Sequence, residues 1–131
     1  MAPSRLPRLS PSELEIMNTV WSAGEATINE VMAQINGPRK TPVRRTTIQV
    51  QMARLERKGW LTHREHGKTY HYHATRAKGD AASEIVADLN NRVFRGSCVD
   101  LVTSLFERTK VSRDDIARLR KLIDSQAKRL K

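Results

Sequence analysis

Thr46, Gln49, Val50 and Ala53 are three or four residues apart, so on a helix they share one face. That face is small and polar and carries little charge. Cations flank it: Arg44 and Arg45 at its start, Arg54, Arg57 and Lys58 further along. Such a set suits the reading of base edges in a major groove, with short side chains in front and cations towards the phosphates on either side. Ile48, Met52 and Leu55 make a separate apolar stripe, and Gly59 supplies the left-handed residue that commonly ends a helix. An ordinary amphipathic helix with a solvated basic face would show much of the same pattern, so the charge of the whole chain has to weigh in.

The chain has 131 residues, with 24 Lys and Arg against 14 Asp and Glu, a formal net charge of +10. Residues 36–78 hold 11 Lys/Arg and 2 Asp/Glu, a balance of +9, while the remainder holds 13 and 12, a balance of +1. A solvated surface would spread its charge; concentration on one element and the stretch after it is the footprint of a polyanion-binding module. An anionic membrane surface would attract the same charge, but the region lacks the Trp/Phe/Leu face of an interfacial helix. No apolar run approaches a membrane span, so no direct membrane insertion is expected. With Cys98 the single cysteine, no intrachain disulfide can form, and a cytoplasmic location is expected. Residues 1–9 are basic and Pro-containing with no apolar segment behind them; they read as a disordered arm rather than a signal peptide, with Arg5 and Arg8 more simply solvated than bound to phosphate.

The remaining chemistry-bearing residues are few. His63, His66, His71 and His73 lie close in sequence; His71 and His73 share a strand face, and a His63 placed across from them would complete a metal site. Apart from Glu65 no acid or Cys stands at ligand spacing, so they are read as polar residues, some meeting phosphate. Cys98 at a helix start suggests either a redox-sensitive thiol or, more simply, a half-buried structural one. No Ser/His/Asp arrangement, glycine-rich phosphate loop or carboxylate pair is present, so neither enzymatic activity nor a cofactor is expected.

Around these residues the elements arise from local signals. Ser10-Pro11-Ser12-Glu13 is a complete helix start, with Leu14, Met17, Val20 and Trp21 as its apolar stripe and Ala23-Gly24 as its end. Glu25-Ala26 suits a small strand. Thr27 to Glu30 is a second capping box, opening a helix with Ile28, Val31, Met32 and Ile35 inward and Asn36-Gly37-Pro38 as its stop. After Gly59 the period changes to two: residues 60–65 and 69–74 read as strands joined tightly at His66-Gly67-Lys68. Trp21 and Trp60 are read as core or core-edge residues. Helix, helix, basic helix, hairpin is the order of a winged helix-turn-helix, expected over residues 10–75. Residues 76–131 predict three further amphipathic helices: one through Ile85, Leu89 and Val93, one capped near Ser97 to Asp100 with Leu101, Val102, Leu105 and Phe106 inside, and one from Ser112 with Ile116, Leu119, Leu122 and Ile123 apolar. They are marginal as an independent core, and burial against a second copy would complete them. The fold class is therefore mainly α with a small β-hairpin: a winged helix followed by a C-terminal helical dimerisation element.

Taken together, these residues resemble the penicillinase repressors of the BlaI/MecI type. Leu9-Ser10 through Val20-Trp21, Gly24 and Ala26-Thr27-Ile28 resemble that family's opening. Thr46-Thr47-Ile48 with Arg54-Leu55, Lys58-Gly59 and Leu61 resembles its recognition helix, and Gly67-Lys68, Tyr70 and Tyr72 resemble its wing. Val93 to Ser97 with Leu101-Val102, and Ser112, Ile116, Leu119 and Leu122, resemble its dimerisation segments. The resemblance implies a homodimeric repressor on a palindromic double-stranded operator, controlling β-lactam-response genes. A membrane β-lactam sensor with a protease domain would lead to its cleavage. In the family the cut falls between an Asn and a Phe; here the corresponding place is near Ser104-Leu105, where no Asn stands. Related copper-responsive repressors carry two Cys-x-Cys pairs, which this chain lacks. The expected DNA-binding residues are Arg44, Arg45, Thr46, Thr47, Gln49, Val50, Arg54 and Lys68. The alternatives are a metal- or redox-responsive winged-helix regulator, or a winged-helix module for another polyanion or a protein.

Overall fold

A computed structural model describes residues 6–130. It contains α1 (Pro11–Ala23), α2 (Ile28–Asn36), α3 (Arg45–Arg57), β1 (Leu61–His66), β2 (Thr69–Ala74), α4 (Lys78–Val93), α5 (Cys98–Arg108) and α6 (Arg113–Arg129). Two compact units result, one ending at Ile85 and the other beginning at Val86, so the division falls within α4.

In the first unit α1, α2 and α3 enclose a core that the hairpin closes. Both N-terminal capping boxes form: the Ser10 hydroxyl accepts from the Glu13 amide and the Glu13 carboxylate from the Ser10 amide, and Thr27 and Glu30 repeat the arrangement on α2. Asn36 then braces the turn before α3, its side chain accepting from the Val43 amide at 2.8 Å and donating to the Val43 carbonyl at 3.1 Å. The core consists of Ile16, Met17, Val20, Ala26, Val31, Ile35, Ile48, Met52, Leu55, Trp60, Leu61, Tyr72 and Ala81. The inward face of α1 is Glu13, Ile16, Met17 and Val20 rather than the expected Leu14, Met17, Val20 and Trp21; Leu14 and Trp21 are half-buried. A carboxylate at the first inward position hid that periodicity.

β1 and β2 pair antiparallel from Leu61↔Ala74 to His66↔Thr69, leaving a two-residue loop, Gly67-Lys68. His66 thus belongs to the strand and not to the loop. Gly67 has φ +65°, the left-handed conformation that such a loop takes at its first position. Ala26 adds a short third strand, exchanging 2.9 Å backbone hydrogen bonds with Tyr72 in both directions. The indole of Trp21 donates to the Arg76 carbonyl, and that of Trp60 to the Pro7 carbonyl.

The last contact bears on the expected disordered arm over residues 1–9. Met1 to Arg5 lie outside the described residues, Arg5 with them. Leu6 and Leu9 pack against the core, and the Lys58 ammonium donates to the Arg8 carbonyl at 3.0 Å. Residues 6–9 are therefore held in place; the apolar pair Leu6 and Leu9 packs against the core, which composition alone did not reveal.

In the second unit Ser97 caps α5 and Ser112 forms a capping box with Asp115 on α6, as expected. Neither α5 nor α6 contains a buried residue. Leu101 is half-buried, and Val102, Leu105 and Phe106, expected inside, are exposed in the single chain, as are Leu122 and Ile123. Helices this short cannot cover one another's stripes.

One polar contact ties the first unit together. Glu13, 2% exposed, accepts from the Lys58 ammonium through both carboxylate oxygens, at 2.8 and 3.0 Å. Burial alone raises its pKa, but the hydrogen bonds and charge of Lys58 and the bonds from Ser10 outweigh that, and it lies below its ordinary 4.5. A carboxyl with a depressed folded pKa contributes stability that is complete above its unfolded value and lost as pH falls below about 4.5. Lys58→Met, which strands the carboxylate in the interior, is expected to lower unfolding free energy by about 3 kcal/mol at neutral pH, less than that at acid pH. Denaturant melts between neutral pH and pH 4 check both; a loss independent of pH would mean that the pair is not formed.

Candidate nucleic-acid interface

Burial of Ile48, Met52 and Leu55 decides what α3 shows to solvent. Thr46, Thr47, Gln49, Val50, Ala53 and Arg54 are exposed, as are Arg44 and Arg45. Arg57 continues the outward face one turn beyond Ala53, where spacing alone suggests only a flanking cation. Gln49 and Arg45 also line a groove with Lys68, Thr69, Tyr70 and Tyr72 from the hairpin and Thr27, Ile28 and Asn29 from the start of α2. The groove gathers Arg45, Gln49 and Lys68 from the expected site; Thr46, Thr47, Val50 and Arg54 stand on the exposed helix outside its lining, and Arg44 precedes the helix.

Four cations of the basic region are neutralised by intramolecular pairs. Arg39 binds Glu15 at 2.9 Å, Lys58 binds Glu13, Arg64 binds Glu25 at 2.7 Å and Arg76 binds Glu84 at 2.5 Å. The Arg64 guanidinium, foremost, holds the Glu25 carboxyl below its ordinary range, and Glu84 raises Arg76. Lys58, expected to flank the reading face, is instead the fold's tie to Glu13. Among the described residues Lys40, Arg44, Arg45, Arg54, Arg57 and Lys68 have no ion-pair partner, and all are exposed. The charge left over thus surrounds the neutral face of α3, and Arg45 is aimed by a hydrogen bond to the Asn29 side chain on α2.

The hairpin is held to α3 by residues whose role spacing did not suggest. Cross-strand partners share a face, so the register puts His63 with Tyr70 and Tyr72, and His71 and His73 on the other side. This corrects the expectation that His63 lies across from His71 and His73. Its Nδ1 sits 2.7 and 3.0 Å from the two Glu56 oxygens, and its ring stacks on Tyr70 at 4.1 Å between centroids. Tyr72 has its hydroxyl pKa raised, chiefly by burial and then by the Glu56 charge. Among the described residues no three His, Cys, Asp or Glu converge as a metal site would require. Cys98 is exposed at the first position of α5, not half-buried.

Comparison with known proteins gives this geometry its place. The Penicillinase repressor family matches residues 9–125. The chain belongs to the penicillinase repressor family. That family is one of repressors and not of enzymes. Among relatives, the methicillin resistance regulatory protein MecI of Mammaliicoccus sciuri is 25% identical over 118 residues, covering 90% of this chain and 94% of its own. The penicillinase repressor of Bacillus licheniformis is 25% identical over 127 residues, covering 97% and 98%. Among solved structures, the DNA-binding domain of the repressor BlaI is 29% identical with a TM-score of 0.51, covering 58% of this chain and 90% of that one. A complex of hsRosR, 16% identical with a TM-score of 0.56 over 98% and 96% of the two chains, shares the fold. In this chain the fold is thus a winged helix, with β1–β2 as the wing beside α3. Among the described residues no helix is long and apolar enough to cross a membrane.

The Glu56–His63–Tyr70 contact should be measurable. Glu56→Ala and His63→Ala are each expected to cost about 1 kcal/mol, a modest figure because both side chains are about one-third exposed, and the double variant less than their sum by about 0.5 kcal/mol. Urea melts of the four proteins close the cycle; additive losses would show that wing and helix are not coupled there.

Proposed function

We propose that this chain is a cytoplasmic homodimeric transcriptional repressor that lays α3 in the major groove of a palindromic operator. The observation that carries the reading is the neutral outward face of α3 set among exposed cations with no ion pair of their own. Thr46, Gln49 and Val50 meet base edges, with Thr47 at the helix start, while Arg44, Arg45, Arg54 and the wing-tip Lys68 hold phosphates. Phosphate contacts set register and affinity, and the short side chains between them set sequence preference. The BlaI domain named above as DNA-binding, which resembles the first unit, supports this assignment.

The dimer is assigned to α4–α6, within residues 76–131. Val86, Leu89, Val93, Val99, Val102, Leu105, Phe106, Leu122 and Ile123 are between 41% and 69% exposed in one chain, an apolar surface that a monomer in water rarely leaves open. Joining two DNA-binding units raises affinity for a two-site operator by about 10²–10⁴ through effective concentration alone.

Release by proteolysis near Ser104-Leu105 completes the proposal. This bond lies inside α5, whose lack of buried residues makes local opening inexpensive, and opening is what a protease needs to bind extended backbone. The cut would separate the end of α5 and all of α6 from the dimer element. Relatives named for methicillin resistance and penicillinase support β-lactam-response genes as targets and a membrane β-lactam sensor as the source of the signal.

Fluorescence anisotropy on the chain's own upstream DNA against a random duplex of equal length tests the DNA assignment. Gln49→Ala is expected to cost about 1–3 kcal/mol on the specific duplex and little on the random one, whereas Arg45→Ala or Lys68→Ala should weaken both and reduce the salt slope by about 1. Equal affinity for the two duplexes would favour a non-specific polyanion binder. Sedimentation is expected to give a dimer for the full chain and a monomer for a chain ending after Ile85; a full-length monomer at micromolar concentration would remove the dimer. A chain cut at an engineered site at 104–105 should lose operator affinity, and unchanged affinity would exclude this bond as the switch.

A further inference from the structure

Val50 is 53% exposed at the middle of the outward face of α3, although among the described residues of the first unit every other large aliphatic side chain except Ile85 is buried or half-buried. Thr46 and Ala53 lie beside it, one turn before and one turn after, so three methyl-bearing side chains form a continuous strip along the helix. None of the three takes part in the core. Arg57 closes the strip at one end and Arg44 and Arg45 precede it at the other, so the occupant has to be a polyanion that offers apolar groups between its charges. Double-stranded DNA offers such groups in the major groove, where thymine alone of the four bases carries a methyl. An acidic protein surface would satisfy the cations without filling the strip.

We propose that the Thr46–Val50–Ala53 strip seats thymine methyl groups, so that the half-site carries thymine at the step under Val50. The inference rests on the operator-binding reading above and adds the base that is read. Gln49, beside the strip on the groove side, has the two-pronged amide that pairs with adenine N6 and N7, which gives the strip an adenine-reading neighbour. Direct readout here is then a methyl contact flanked by an amide contact, with the cations setting register and affinity.

Replacement of thymine by deoxyuridine removes the methyl and leaves base pairing unchanged. A duplex enriched from a random library by the full-length protein, resynthesised with each thymine replaced in turn, is the probe. Wild type is expected to lose about fourfold in affinity at one position in each half-site, the worth of one buried methyl. Val50→Ala, which favours the helix, should bind the thymine duplex about as weakly as wild type binds the deoxyuridine one, with no further loss on replacement. If no position shows a loss that depends on Val50 while the enriched duplex still outcompetes random DNA, the methyl contact is overturned and operator binding stands. If no duplex is enriched, the operator reading falls, and this inference with it.

Discussion

The burial of Ile48, Met52 and Leu55 is the constraint on which the rest depends. These three residues leave α3 a single rotational setting on α1, α2 and the hairpin, because any other would bring Gln49 or Arg57 into the core. That setting presents Thr46, Gln49, Val50 and Ala53 together and sends Arg44, Arg54 and Arg57 around them. Asn36 across the α2–α3 turn and the Ala26–Tyr72 bridge beneath the wing keep the neighbouring elements from shifting that face. A packed stripe fixes the rotation of a helix more firmly than surface ion pairs could.

Electrostatics divides the basic residues into two groups with different duties. Arg39, Lys58, Arg64 and Arg76 are committed to carboxylates within the fold. The strongest of these ties is Glu13–Lys58, since one partner is out of water and would be left charged and unpaired without the other. It also connects the start of α1 with the end of α3, and the same ammonium holds the Arg8 carbonyl. The cations left without an ion pair among the described residues surround the neutral outward face of α3. Net charge therefore overstates what is available to a partner, and the position of what remains says more than its amount.

The two units solve the problem of apolar surface differently. The first closes its core within one chain, down to Tyr72 and to Trp60, whose indole N–H donates to the Pro7 carbonyl. The second leaves α5 and α6 without a buried residue in the single chain. A core that closes on itself tolerates little change, whereas helices with no buried residue have little packing to lose.

Much of this was legible in the sequence, and the part that was not has a common cause. Local signals sufficed for both capping boxes on α1 and α2, the apolar stripe of α3, the hairpin and the Ser97 and Ser112 starts, because capping, helical period and strand alternation act within a few residues. The family was legible as a resemblance carried by the residues of those elements taken together, in that order. What required the tertiary structure was each pairing across long separation: Glu13 as a core residue, which local signals mark as a cap alone; Lys58 as its partner rather than a phosphate contact; Leu6 and Leu9 as packed chain; His63 against Glu56 and Tyr70 rather than beside His71 and His73. A charged or aromatic side chain has no fixed destination in sequence, since burial, pairing or exposure depends on what the fold brings opposite it. The sequence by itself determined the elements and the side of α3 that faces inward; only the tertiary structure decided which charges are spent within the molecule, because that depends on distances between residues as far apart as Glu13 and Lys58.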